Sequence, residues 1–164
     1  MQEDHLGRAR VVYQLGTVAY RRFREARKAN RLPEECFRHL SKAEQYCRQA
    51  LEMFPPNAVR ELAAAHNQLG NIYHDVDQID TALHHYHESI RYKEAMQDRF
   101  EAGRTRYNAA AALASAGRFA DAREWARAAL RDFQASENAR REVVETLKLL
   151  EGIKSALRGT SLPS

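Results

Sequence analysis

Histidines gathered in the middle of the chain are the residues best suited to chemistry. They are His66, His74, His84, His85 and His87. On a helix, His84 shares a face with Asp80 and with Glu88, because side chains four positions apart are neighbours, and such a pair can chelate a metal ion. No third or fourth ligand follows at a recognisable spacing. We therefore interpret the group as a solvated histidine cluster and predict no metal site.

The sequence carries no other pattern that is typical of catalysis. It has no glycine-rich phosphate loop, no nucleophile elbow and no dinucleotide-binding fingerprint. The acidic pair Glu34–Glu35 follows Pro33, and carboxylates there stabilise the positive end of a helix dipole. We predict a non-enzymatic protein with no catalytic residues and no cofactor.

The two cysteines fit a reducing compartment. Cys36 and Cys47 fall on one predicted helix, where eleven residues separate them by about 16 Å, far beyond disulfide reach. No apolar run approaches the roughly 20 residues that span a bilayer, and the first ten residues contain no apolar signal-peptide core. We expect a cytoplasmic protein that does not enter the membrane.

Basic residues concentrate near the start of the chain, within a net charge of +4. Those in residues 1–29 are Arg8, Arg10, Arg21, Arg22, Arg24, Arg27 and Lys28, against Glu3, Asp4 and Glu25. This helix could steer an acidic partner, although charges spread around a helix are also typical of a solvated face. Nucleic acid binding is disfavoured, because acidic residues prevail in residues 57–97 and no helix-turn-helix or zinc spacing occurs.

Apolar periodicity predicts a chain that is almost entirely helical. The predicted helices span residues 3–29, 33–54, 58–75, 79–96, 99–116, 119–135 and 139–158. Residues expected to begin or end these helices are Asn30, Pro33, Pro55, Asn57, Asp98, Gly117 and Asn138. Gly16, inside the first helix, indicates the close approach of a neighbouring helix.

The second half of the chain repeats weakly with a 40-residue period. A shift of that length places Ala82 on Ala122 and Ile90 on Leu130. Repetition at this length is typical of stacked helical hairpins, each of which buries its apolar face against its neighbours.

Residues 63–102 resemble a tetratricopeptide repeat. The family pattern is matched by Leu69-Gly70, Tyr73, Ala82 and Tyr86, with Ser89 in place of a later Ala and His66 in place of the usual Trp. Residues 103–142 match through Gly117, Phe119, Ala122 and Ala129, but Ala109-Ala110 replace Leu-Gly and Ala126 replaces an aromatic residue. The first hairpin matches through Leu15-Gly16, Ala43, Ala50 and Pro55, with extra residues between its halves.

The resemblance implies an all-α, right-handed solenoid. We expect one domain over residues 1–158, with hairpins at about 3–56, 57–97 and 98–136, a capping helix at 138–158, and a disordered tail at 159–164. The 40-residue spacing is most similar to repeats of spindle-orientation adaptors, kinesin light chains, bacterial peptide-sensing regulators and bacterial signalling ATPases. It suggests an interaction module within a larger bacterial signalling protein.

In this family the first helices of successive hairpins line a concave groove that holds a peptide or a partner segment. Groove positions implied by the resemblance are Tyr13, Gln14, Thr17, Tyr20, Asn67, Gln68, Asn71, His74, Arg104, Tyr107, Asn108 and Ala111. Gln14, Gln68 and Asn108 fall at one equivalent site, and carboxamides can pair with the N–H and C=O groups of an extended peptide. The alternative is a solvated groove with the contact surface elsewhere.

Self-association is the second functional hypothesis. The extra length of the first hairpin is expected to overhang the stack, and its apolar residues Phe23, Phe37 and Leu40 could then pair between chains.

Overall fold

The described part of the chain, residues 2–159 of a computed structural model, folds into seven α-helices. They are α1 (Gln2–Lys28), α2 (Pro33–Met53), α3 (Val59–Asp75), α4 (Ile79–Ala95), α5 (Arg99–Ser115), α6 (Phe119–Gln134) and α7 (Arg140–Gly159). The predicted tail lies outside the described residues except for Gly159, which ends α7. None of the described helices combines the length and the apolar character needed to cross a bilayer.

Most helices end at the residues that the sequence indicated. Asn30 and Gly117 adopt the left-handed conformation, with φ of 49° and 74°, that terminates a helix. Pro33 lies in the first turn of α2, and Phe54 is extended ahead of Pro55. These local signals fix the ends of α1, α2 and α5 and the start of α2 before any packing is considered.

Two predicted caps are wrong, and one is confirmed. Asp98 accepts a hydrogen bond from the backbone N–H of Glu101 and caps α5. Helix α3 is instead preceded by Ala58, so Asn57 lies one position too early. Asn138 takes a left-handed turn conformation, with φ of 59°, one residue before Ala139, whose carbonyl accepts the first helical hydrogen bond of α7.

The helices stack in chain order as an open solenoid. Each helix packs against the next, and α1, α3, α5 and α7 also contact one another in succession. Within residues 2–159, α1 lies against α2 and α3 but not against α5 or α7. The chain therefore does not close into a bundle, and its leading helices α1, α3 and α5 line one side.

The core runs along the whole stack. Its largest fully buried side chains include Leu69, Ile72, Tyr86, Leu113 and Phe133. Burying a side chain of this size contributes roughly 1.5–3 kcal/mol. Small residues pack between them, and a Cβ placed on Gly16 would lie 2.7 Å from Sγ of Cys47, so the predicted close approach of helices at Gly16 is confirmed.

The first hairpin is longer than the others, but most of the apolar residues expected to overhang the stack are buried. Helix α1 has 27 residues, whereas α3 and α5 have 17 each. Phe23 and Leu40 are each only 5% exposed, because the extended halves of α1 and α2 pack on each other. The prediction that both residues pair between chains is therefore wrong, and only Phe37, which is 69% exposed, remains available.

Candidate binding groove

Helices α1, α3 and α5 carry all the predicted groove residues. These helices lie side by side because each hairpin packs against the next through its leading helix. Two kinds of position occur along them: some polar side chains form bonds within the solenoid, and others form none. The assignment of a binding role to them stays a prediction.

Most groove positions of α3 are engaged within the solenoid. Asn67 Oδ1 accepts a hydrogen bond from the Thr105 hydroxyl at 3.0 Å, and Asn71 Oδ1 accepts one from the Tyr86 hydroxyl at 2.9 Å. His74 Nε2 lies 3.1 Å from the Ser115 hydroxyl on α5. These side chains hold neighbouring helices together.

A similar division holds on α1. The Tyr20 hydroxyl donates to Asp75 Oδ2 at 2.7 Å. Tyr13 is half-buried, with its ring centroid 6.4 Å from that of Phe54. The Thr17 hydroxyl donates to the carbonyl of Tyr13 in its own helix, which leaves Gln14 as the exposed carboxamide of this helix.

Three predicted residues of α5 line an open cleft of about 400 Å³ beside α7. They are Arg104, Tyr107 and Asn108, while the neighbouring Ala111 is half-buried. The cleft also contains Phe100, Phe133, Arg141, Glu142 and Glu145, which the sequence did not single out. Burial and the charge of Glu145 raise the pKa of Tyr107, so its hydroxyl remains a donor at neutral pH.

The equivalent carboxamides of the three hairpins share one property. Within residues 2–159, no hydrogen bond engages the side chain of Gln14 or Asn108. The Nε2 atom of Gln68 is shielded from solvent and has no partner, although its side chain is only half-buried. A buried amide without a partner costs about 1–3 kcal/mol.

The histidine cluster is only partly solvated. His84 and His87 are exposed, as predicted, but His85 is half-buried and its Nδ1 lies 2.9 Å from Nδ1 of His66. Burial and the adjacent His66 lower the pKa of His85 to about 4. Across residues 2–159, no group of three or more His, Cys, Asp or Glu side chains is placed to hold a metal ion.

The cysteines are free thiols, buried at Cys47 and half-buried at Cys36. Burial raises the pKa of the Cys47 thiol to about 12, which keeps it protonated and unreactive.

Sequence reasoning missed the partners that decide which groove residues are engaged. Thr105 is fully buried and accepts a hydrogen bond from the ammonium of Lys93 at 2.7 Å while it donates to Asn67. Asp75 accepts a hydrogen bond from the Tyr20 hydroxyl, and the Ser115 hydroxyl lies within hydrogen-bond distance of His74. A polar residue at the end of a helix carries no signal in the sequence that identifies a partner from another hairpin.

Comparison with known proteins identifies the architecture. No family model matches the sequence, and no curated protein matches it. Among solved structures, the N-terminal domain of stress-induced protein-1 (STI-1) from C. elegans is similar, with a TM-score of 0.60 and 16% sequence identity. The match covers 87% of this chain and 96% of that one. A likeness at this identity shows the fold, and the predicted all-α, tetratricopeptide-like solenoid is confirmed.

Proposed function

We propose that the chain is a protein–protein interaction module that binds an extended peptide or partner segment along α1, α3 and α5. The observation that carries this proposal is the row of Gln14, Gln68 and Asn108, whose carboxamides remain unbonded while the polar residues beside them are bonded. An extended peptide presents N–H and C=O groups that such carboxamides can pair with.

The cleft between α5 and α7 is the part of this groove best suited to hold a side chain. Tyr107 and Phe100 offer apolar contact, and Tyr loses little rotamer entropy on binding. Arg104 and Arg141 are exposed but each pairs with a carboxylate, Glu101 and Glu145 respectively. The site therefore suits a partner that contributes an apolar side chain flanked by polar backbone.

The wider setting follows from the resemblance. We propose a place in a bacterial signalling protein of the cytoplasm, and a preference for an acidic partner because Arg21, Arg22 and Arg24 are exposed on α1.

The test is partner capture by a groove variant. The variant combines Gln14→Ala, Gln68→Ala and Asn108→Ala, and the matched control combines Gln45→Ala, Gln49→Ala and Gln134→Ala, which removes exposed carboxamides from α2 and α6. Each immobilised protein is incubated with bacterial lysate, and captured proteins are identified by mass spectrometry. We expect the groove variant to lose partners that the control retains.

Equal capture of partner proteins by both variants would show that the three groove carboxamides do not bind them. Circular dichroism and thermal unfolding of each variant establish that a loss of capture is not a loss of fold. Identifying the captured proteins also tests the proposed signalling role and the preference for acidic segments.

A second candidate function is self-association through the tip of the first hairpin. Two exposed apolar residues occur near the start of α2: Leu32, the residue before the helix, is 70% exposed and Phe37 is 69% exposed. Light scattering over a range of concentrations would show a dimer that Phe37→Ser abolishes. A monomer at every concentration would eliminate this candidate.

A further inference from the structure

The last described helix, α7, leaves part of its apolar surface uncovered. Its apolar residues at helical spacing are Val143, Leu147, Leu150, Ile153 and Leu157. Ile153 is buried against α5 and α6, but Leu147 is 46% exposed. Leu147, Leu150 and Leu157 line an open cleft of about 990 Å³ between α6 and α7, which we call the end cleft.

The repeat register identifies what this cleft corresponds to elsewhere in the stack. Shifting α5 by 40 residues places Gly103 on Val143 and Ala110 on Leu150. Both α5 residues face α6: a Cβ on Gly103 would lie 3.1 Å from the Phe133 ring, and Ala110 packs in one cluster with Ala126. The apolar face of α7 is thus the face on which α5 carries the second helix of its hairpin.

The side of the end cleft that α6 forms shows the same 40-residue correspondence, here with α4. On α4, Leu83 and His87 face α6, where the imidazole of His87 meets the ring of Trp125 at 4.8 Å. The same shift places these two positions on Arg123 and Arg127, which line the end cleft. Both walls therefore match the site that holds α6 in the third hairpin.

The charge of the end cleft indicates the chemistry of an occupant. Arg123, Arg127, Lys154 and Arg158 surround the leucines, and Glu151 is the acidic residue among the lining. Glu151 pairs with Lys154 at 3.6 Å, and Glu124 lies 3.2 Å from Arg127. The Nε atom of Arg123 is shielded from solvent without a hydrogen bond, and the carboxylate of Glu124 lies 3.4 Å from it. Basic groups remain in excess around an apolar floor.

We propose that the end cleft binds an amphipathic helix with acidic flanks, contributed by a partner protein, which completes a fourth hairpin with α7. The apolar stripe of that helix covers Leu147 and Leu150, and its carboxylates pair with Arg123 and Arg127. A second copy that pairs symmetrically through its own end cleft fits less well, because it would bring basic groups to a basic rim. The end cleft is separate from the concave groove, so either proposal can fail without the other.

A synthetic helix based on α6 supplies the probe. The peptide has the sequence of Phe119–Gln134 with Arg123→Glu, Arg127→Glu and Arg131→Glu, which keeps the apolar face and makes the outer face acidic. The unchanged sequence is the matched neutral peptide, since its three arginines balance three acidic residues. Binding of each fluorescein-labelled peptide to the full chain is measured by fluorescence anisotropy at low and high salt.

The expected result is saturable binding of the acidic peptide that weakens with salt. Leu147→Glu and Arg127→Glu in the protein should each weaken it by about tenfold or more, as interface residues at a buried contact do. Asn108→Ala, in the concave groove, should leave it unchanged. Circular dichroism confirms that each variant is folded. The side chains of Leu147 and Arg127 are both exposed.

Three outcomes overturn the proposal. One is that the acidic peptide does not bind, and another is that the neutral peptide binds equally well. The third is that sedimentation velocity shows a dimer which Leu147→Glu dissolves, because the end cleft would then be an interface between copies.

Discussion

The second and third hairpins occupy equivalent places in the solenoid but fill one interior contact differently. In the second, Gly70 lies against the buried ring of Tyr86, and a Cβ on Gly70 would come within 2.5 Å of two ring carbons. The 40-residue shift places these positions on Ala110 and Ala126, which are both fully buried in the third hairpin. The glycine and tyrosine of the second hairpin are thus replaced by two alanines in the third.

This difference shows that the repeat preserves the packing of the two helices rather than residue identity. The two alanines are together smaller than a glycine with a tyrosine, and Trp125 with Leu150 and Ile153 of α7 pack in the same cluster as Ala110 and Ala126. The third hairpin therefore fills this contact with side chains from other positions of the stack.

Polar contacts between the helices also differ at equivalent positions of the second and third hairpins. His66 and His85 of the second hairpin correspond to Arg106 and Trp125 of the third. The two imidazoles bond each other, whereas the Arg106 guanidinium pairs with Asp132 and Glu94. The second hairpin thus uses a contact between two imidazoles whose pKa values are lowered, and the third uses ion pairs at the equivalent place.

The largest effect on stability should come from substituting Gly70 and Tyr86, which pack against each other in the second hairpin. Gly70→Ala is expected to cost about 3 kcal/mol of unfolding free energy through overpacking against Tyr86, and Tyr86→Ala about 4 kcal/mol through a cavity. In the double variant the new Cβ meets no ring, so its cost should nearly equal that of Tyr86→Ala alone. Urea unfolding followed by circular dichroism measures all three.

Two substitutions elsewhere provide reference values for these three variants. Ala110→Gly in the third hairpin should cost about 2 kcal/mol, from the lower helix propensity of Gly and the loss of a buried methyl group. Gly152→Ala, where a Cβ meets nothing within 4 Å, should stabilise the chain. Strictly additive losses in the double variant would show that the cost of Gly70→Ala does not come from its contact with Tyr86.

The next effect concerns the link between the hairpins. Thr105→Val removes the hydroxyl that receives the Lys93 ammonium and donates to Asn67, and leaves a buried cation without that partner. We expect a loss of about 2 kcal/mol. Thr146→Val is the matched control, because the buried Thr146 hydroxyl bonds only the carbonyl of Glu142 in its own helix. Equal losses for both valines would show that the link contributes nothing.

Helix positions were predictable from sequence because their signals are local. Pro33, Pro55 and Gly117 restrict the backbone wherever they occur, so most boundaries were predicted to within a residue or two. The Asn138 prediction failed for the complementary reason. Asn is favoured both as an N-cap and in a left-handed turn, and only the geometry of the loop between α6 and α7 decides between them.

The division of the groove could not be predicted, because it depends on contacts between hairpins. Asn67 and Asn108 have the same chemistry, and the sequence indicates no difference between them. The first is engaged because Thr105 lies opposite it on α5. The overhang prediction failed similarly: Phe23 and Leu40 cover each other, which helical spacing within one element does not reveal.

The titratable contact should make stability pH-dependent. Burial lowers the pKa of both His66 and His85, that of His85 to about 4, so the folded chain binds fewer protons than the unfolded chain just below the ordinary value of 6.5. Stability from this pair is complete above about pH 6.5 and is lost as the pH falls towards 4. Other charged groups facing the pair are Glu88, which raises these pKa values, and His84, Arg48 and Arg91, which lower them.

Replacing His85 tests this dependence. Between pH 7 and pH 4.5 the wild type should lose on the order of 1–2 kcal/mol more than His85→Phe, after allowance for solvent screening of these half-buried rings. Phe preserves an aromatic ring at the position that stacks on Tyr73. His5→Gln, which changes an exposed histidine on α1, should follow the wild type. Parallel pH curves for wild type and His85→Phe would assign the acid sensitivity to other groups.

The smallest effect separates bonded from unbonded carboxamides in the groove. Asn67→Ala removes the acceptor of the Thr105 hydroxyl and should cost about 1 kcal/mol. Asn108→Ala removes no bond within the described chain and should change stability by no more than about 0.5 kcal/mol, with the better helix propensity of Ala in its favour. Partner capture should reverse this order, because Asn108 is free to pair with a peptide whereas Asn67 is already bonded. If Asn67→Ala impaired capture more than Asn108→Ala without unfolding the chain, the bonded side chains would be the ones that recognise the partner, and the unbonded row would only be solvated.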